Sequence, residues 1–312
     1  MPELQHIVVV AIMLASPWCM VWLWRRDVFR PGSLSRLEAS GRLRNAAAIG
    51  AGAWLAASVA TYIAAIVGAG LAAAALGLPM EPGVKRDPGD AAVADVITYV
   101  FSGTVGVVCA GLLARGGRGA GATTASLGLE SRGRDARAGL GALVVVLPLC
   151  VTVGVAVSML ARLVHEEPPR IAHSALREMV DNRHAWHAWV KALMAVVGAP
   201  VVEELVYRVF LQSAIISALS RLRAAGTGEA PVVRGRDVFI GIALSTAGFV
   251  LPHAMALGGP ATWNALPTLV ILGAALGVVY ERTKSPLAVI VMHAGFNAVN
   301  VIAAMATTPP AA

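Results

Sequence analysis

Long apolar runs, separated by short connections that are alternately arginine-rich and neutral or acidic, set the pattern of this chain. The stretch from Asn45 to Met80 holds no charged residue, and several other runs of about 20 residues hold one or none, the length a helix needs to cross hydrocarbon. No short amphipathic alternation of the kind that closes a barrel is present, so the spanning structure must be helical, because lipid offers open backbone no partner. Eight spans are predicted, at about 7–24, 46–70, 91–113, 139–161, 186–219, 238–257, 264–280 and 286–306, with a break expected in the fifth. The expected fold class is all-α, a polytopic membrane helical bundle. The first run reads as a retained span rather than a signal peptide, since Arg25, Arg26 and Arg30 follow it and no cleavage site is evident.

Composition agrees with this pattern. Of 312 residues, 57% are hydrophobic and 14% charged, and the mean hydropathy is +0.71, far from the soluble balance. The net charge of +7 is almost all arginine; Lys85, Lys191 and Lys284 are the only lysines. These charges sit in connections rather than on a stripe, so no nucleic-acid partner is expected. The glycine-rich third connection has no aromatic residue for stacking and reads as a flexible connector. Cys19, Cys109 and Cys150 lie in separate apolar runs without metal-ligand spacing, which argues against a disulfide scaffold and a cysteine-ligated metal. No internal repeat of the transporter kind stands out.

Loop charge orients the bundle. The first connection carries Arg25, Arg26, Arg30, Arg36, Arg42 and Arg44 against Asp27 and Glu38; the third carries Arg115, Arg118, Arg132, Arg134 and Arg137 against Glu130 and Asp135. The run from Arg221 to Asp237 is basic again, and Arg282 and Lys284 mark the last connection. Glu81 to Asp90 is slightly acidic, Arg162 to Arg183 is balanced, and Gly258 to Trp263 is uncharged. The positive-inside rule then puts the basic connections in the cytoplasm and both termini outside.

Against this background "VVEELVYRVF" places Glu203, Glu204 and Arg208 inside an apolar run. Glu204 and Arg208 stand four apart and share a helical face, as an ion pair would; Glu203 has no such partner. A carboxylate in apolar surroundings is costly and suits acid/base work. "FVLPHAM" adds Phe249 and His253, and "VMHAGFNAVN" adds His293 and Asn297, each pair four apart. Taken singly, such residues serve as interhelical hydrogen bonds. Together, where these helices pack against one another, they are expected to converge on a wet intramembrane cavity. A carboxylate and an imidazole can hold and deprotonate water, and an imidazole and an amide can donate to the oxygen on which charge develops during amide hydrolysis. A zinc ion held by Glu203, His253 and His293 is the alternative cofactor. A proton-coupled transporter could use the same groups as a relay, and a scaffold or immunity-type membrane protein is a third reading.

Order, spacing and placement of Glu203-Glu204-xxx-Arg208, Phe249-xxx-His253 and His293-xxx-Asn297 resemble the CPBP intramembrane proteases, which include the Rce1-type CAAX prenyl endopeptidases and the bacterial Abi-domain proteins. The resemblance covers about residues 145–305. It implies an intramembrane endopeptidase acting on a membrane-associated protein or peptide, with prenylated CAAX proteins as the family precedent. It implies Glu203 as general base with His253, His293 and Asn297 as the oxyanion site, and Glu204 and Arg208 as organisers, with Phe249 beside His253. A glutamate-activated water requires no cofactor. The chain then divides into N-terminal helices and basic loops at 1–138 and a catalytic core at 139–312. An integral multi-pass protein, in the plasma membrane if the source is prokaryotic, with its site reached from the cytoplasmic side, is expected. Pro252, immediately before His253, departs from the family pattern. "HEEPPRIAHSALREMVDNRHAWHAW" reads as an interfacial segment with Trp186 and Trp189 as anchors. Gly273 and Gly277 form a close-packing face that fits internal packing or a homo-oligomer.

Overall fold

The computed structural model describes residues 2–26, 48–79, 86–116, 133–163, 174–228, 230–257 and 261–306. The expectations for Arg30, Glu38 and Arg42 in the first connection, for 117–132 in the third, and for His165 and His173 lie outside the described residues. Among those residues every element is helical. In chain order they are α1 (Pro2–Arg25), α2 (Ala51–Ala75), α3 (Pro88–Gly116), α4 (Gly133–Leu163), the short α5 (Ser174–Asp181), α6 (186–227), α7 (Gly235–Leu257), α8 (Ala261–Thr283) and α9 (Pro286–Met305). The eight long elements fall on the eight predicted spans. Among the described residues six helices, α2, α3, α4, α7, α8 and α9, are long and apolar enough to cross a membrane. The described apolar part of α1 is shorter, and α6 is interrupted.

That interruption has a local cause at its first site. The α6 segment runs as α-helix over Trp186–Leu193, widens to a π-turn over Met194–Gly198, returns to α over Ala199–Glu204, widens again over Leu205–Gln212, and ends as α over Ser213–Thr227. Pro200 has no N–H to give. The Ala199 N–H reaches Met194 O, and the wider register would assign Ala195 O to residue 200, which has no donor. The break predicted in the fifth span is therefore a π-turn rather than a kinked end.

Small residues let the bundle close. A side chain at Gly277 would meet Gln212 Oε1 at 2.9 Å and Ile242 at 3.0 Å, and one at Gly273 would meet Thr246 at 3.0 Å and Phe249 at 3.3 Å. The glycine face of α8 is thus spent on α6 and α7. The central apolar cluster gathers Trp54 of α2, Leu205 and Phe210 of α6, Leu272 and Leu276 of α8, and Met292 and Phe296 of α9. Outward-facing Ile66, Val107, Val144, Leu160 and Ile302 remain exposed. Hydrocarbon on the outside of a bundle is the expected arrangement in lipid, where burial by water is not the driving force.

Candidate active site

Three helices carry the three motifs, and the ring of Phe249 joins them. Phe249 has no exposed surface. Its centroid lies 4.7 Å from that of His253 and 5.8 Å from that of His293. Tyr207 meets it edge-on at 5.6 Å, and the Arg208 guanidinium lies 5.1 Å from it.

Glu204 and Arg208 are fully buried and form the ion pair that their spacing predicts, at 3.4 Å. Arg208 also donates to Ser245 of α7 at 3.4 Å. The other Glu204 oxygen is 2.8 Å from Nδ1 of His293, so α6 and α9 are tied at the base of the site. Glu203, unlike Glu204, lines the cavity. Its side chain keeps 23% exposure, with Oε2 3.9 Å from His293 Nε2. That separation exceeds a direct hydrogen bond and matches a gap bridged through a third group.

His253 has its own anchor. Nδ1 lies 2.7 Å from the Phe249 carbonyl oxygen. A carbonyl only accepts, so the hydrogen belongs to Nδ1, and the neutral ring presents the Nε2 lone pair. The α7 helix continues through Pro252. Asn297 Nδ2 donates at 2.8 Å to Ala195 O, the carbonyl that Pro200 deprives of a backbone donor. One amide hydrogen is used there, and Nδ2 has a second.

The depths of the two histidines are reconciled by a stagger. From Pro286 to His293 is about 10 Å of helix and from Gly235 to Phe249, level with His293, about 21 Å. The α7 helix therefore begins about 10 Å beyond the start of α9, toward the Arg223–Asp237 ion pair. His253 stands one turn further along α7.

One cavity of about 440 Å³ collects Glu203, His253, His293 and Asn297 on its wall. Glu204 and Arg208 do not line it and support it from behind. The sequence reading missed Asp95 and Tyr99 of α3, which line the same cavity. They come from the part of the chain assigned no share in the site; a charged residue inside an apolar span was the signal available. It also missed a buried polar chain behind Arg208. Ser245 donates to Gln212 at 3.0 Å, Gln212 donates to Glu281 at 2.9 Å, and Lys284 donates to Glu281 at 2.6 Å.

The zinc alternative asks Glu203, His253 and His293 to converge on one ion. Among the described residues no three His, Cys, Asp or Glu side chains are gathered closely enough to hold a metal, so this donor set does not fit a three-ligand site. His184 and His187, in the interfacial segment, form no such cluster either.

Residues 185–299 match the family model described as Rce1-like, type II CAAX prenyl endopeptidase Rce1-like. Comparison with curated proteins and with solved structures gives no significant match. The matched region contains all three motifs and every residue placed above on the α6, α7 and α9 walls of the cavity. The match over residues 185–299 supports the CPBP, Rce1-type resemblance that the three motifs carry.

Proposed function

We propose that the cavity hydrolyses a peptide bond of a membrane-associated protein by a water held between Glu203 and His253. The observation that carries this reading is the division of labour between the paired glutamates. Glu204 is consumed by Arg208 and His293, whereas Glu203 lines the cavity outside hydrogen-bond reach of either, its nearest partner being His293 Nε2 at 3.9 Å.

Water hydrogen-bonded to the Glu203 carboxylate and the His253 Nε2 lone pair attacks the scissile carbonyl carbon, and its proton passes to Glu203. The carbonyl oxygen becomes an oxyanion. His293 gives Nδ1–H to Glu204, so doubly protonated it has Nε2–H free for that oxygen, and the second Asn297 amide hydrogen provides another donor. Collapse re-forms the carbonyl, breaks the C–N bond and sends the proton from Glu203 to the leaving amine. No covalent enzyme intermediate forms. Arg208 stays behind Glu204 and holds the α6 pose.

The buried chain from Arg208 to Lys284 is a feature that favours a proton-coupled transporter. Its link through the Gln212 amide does not relay protons as a carboxyl or imidazole does, which weakens that reading. The experiment is cleavage of a fluorogenic panel of lipid-modified peptides by detergent-purified protein, wild type against His253→Gln. Cleavage lost in the variant supports the proposal. Wild-type protein that cleaves nothing, together with pH-gradient-driven transport in proteoliposomes that requires Glu203, would replace it by the transporter.

A further inference from the structure

The cavity is not centred in the bundle. Its walls run from Glu203 and His293 toward one end only. Asp95 lies near the N-terminal end of α3, Leu176 and Met179 belong to α5 between α4 and α6, Lys191 opens α6, Ala265 opens α8, and Asn300 lies near the C-terminal end of α9. Every one of these positions adjoins the α2–α3, α4–α6 or α7–α8 connection, or the end of α9. Those three connections are the slightly acidic, the balanced and the uncharged ones.

The catalytic cavity does not extend to the opposite end. Below the catalytic level, Arg208, Phe210, Gln212, Ile216, Leu276 and Glu281 are fully or almost fully buried. This is the end from which the arginine-rich connections emerge, Arg221 to Asp237 among them. Arginine and lysine excess marks the cytoplasmic side of a bilayer. Loop charge says which end of the bundle is cytoplasmic, and cavity position says which end the cavity reaches; together they give a side.

We infer that the catalytic cavity opens on the exoplasmic face of the membrane, opposite to the cytoplasmic access that the resemblance suggests. The substrate class follows, and this part rests on the proposed peptidase activity. The cavity takes the outer end of a membrane-anchored or translocated peptide, whereas a prenylated C-terminus made in the cytoplasm meets the arginine-bearing end, which the cavity does not reach. Leu176, Met179, Leu269 and Phe296 give the entering segment an apolar wall, and Asp95 with the Glu178-paired Lys191 gives the mouth a polar rim.

The test is cysteine labelling in intact cells with a membrane-impermeant maleimide, in a background with Cys19, Cys109 and Cys150 replaced by alanine. Asn300→Cys and Leu176→Cys report the mouth from two different elements, and Arg236→Cys, exposed at the start of α7, reports the other end. Labelling at both mouth positions before permeabilisation, and at Arg236→Cys only after it, is expected. The reverse pattern, or mouth positions silent until cells are permeabilised, overturns the inference. Sealed right-side-out vesicles given external peptide form the second arm, wild type against Glu203→Gln. Exoplasmic labelling without any Glu203-dependent cleavage in either vesicle orientation would sink the peptidase reading while leaving the sidedness standing. Glu203-dependent cleavage confined to inside-out vesicles would sink the sidedness and leave the peptidase.

Discussion

The Glu204–Arg208 pair is where the site should be most sensitive to a change that alters charge and little else. Glu204→Gln keeps an acceptor for His293 Nδ1 and leaves the Arg208 guanidinium buried with no carboxylate. Arg208→Met leaves Glu204 buried with His293 alone, and strips the cation from the Phe249 face at 5.1 Å. Removing one partner of a buried pair costs about 3–5 kcal/mol, and the lost cation–π contact adds about 0.5–2 kcal/mol to the second variant. Neither side chain has exposed surface, so solvent does not screen these terms. Glu204→Gln with Arg208→Met removes both charges of the pair, so neither is left buried without the other. The double variant should therefore be more stable than the sum of the singles requires, with a coupling of about 2–3 kcal/mol. Reversible unfolding of the detergent-solubilised protein, followed by far-UV circular dichroism across an SDS titration, gives the four free energies of the cycle. Additivity within about 0.5 kcal/mol, or single variants as stable as wild type, would refute the account of Glu204 as a structural carboxylate.

Asn297→Ala removes the donor to Ala195 O, so unfolding free energy should fall by about 1–3 kcal/mol, and cleavage should fall by about 10²–10³-fold if the amide also serves the oxyanion. Unchanged stability would contradict the repair of the Pro200 defect. Gly277→Leu forces α8 away from Gln212 and Ile242 and should cost about 1–3 kcal/mol or more, read as a lowered unfolding midpoint; a neutral result would mean that the helices do not approach as described. Cleavage should survive a zinc chelator added to the purified protein, since the site residues do not fit a three-ligand metal. Loss on chelation and recovery on added zinc would contradict attack by a water that Glu203 alone deprotonates.

Much of the fold was legible because bilayer length and charge leave few alternatives. Spans predicted at 238–257 and 286–306 meet helices Gly235–Leu257 and Pro286–Met305, and the break expected in the fifth span arises at Pro200, where the missing N–H could be seen in the sequence. The motif residues were legible because each is polar in an apolar run. Their roles were less so. The spacing of Glu204 and Arg208 predicts their pairing, but nothing local says that Glu204 also grips His293, because that contact spans two helices far apart in the chain. Lys284 was counted as a connection charge, yet it folds back on Glu281 with a left-handed backbone at φ 49° and is buried. Asp95 and Tyr99 were passed over because periodicity does not show which face of α3 meets α6. The side on which the cavity opens needed both the loop charges from the sequence and the position of the wall residues along each helix.

The central claim is that the two adjacent glutamates do different work, and the most direct measurement compares Glu203→Gln with Glu204→Gln for cleavage and stability in the same preparation. The account predicts that Glu203→Gln lowers the cleavage rate by about 10²–10⁴-fold while its unfolding midpoint stays close to wild type, and that Glu204→Gln shifts the midpoint strongly. Full cleavage by Glu203→Gln, or a loss of stability in it equal to that of Glu204→Gln, would contradict the assignment of Glu203 as the general base.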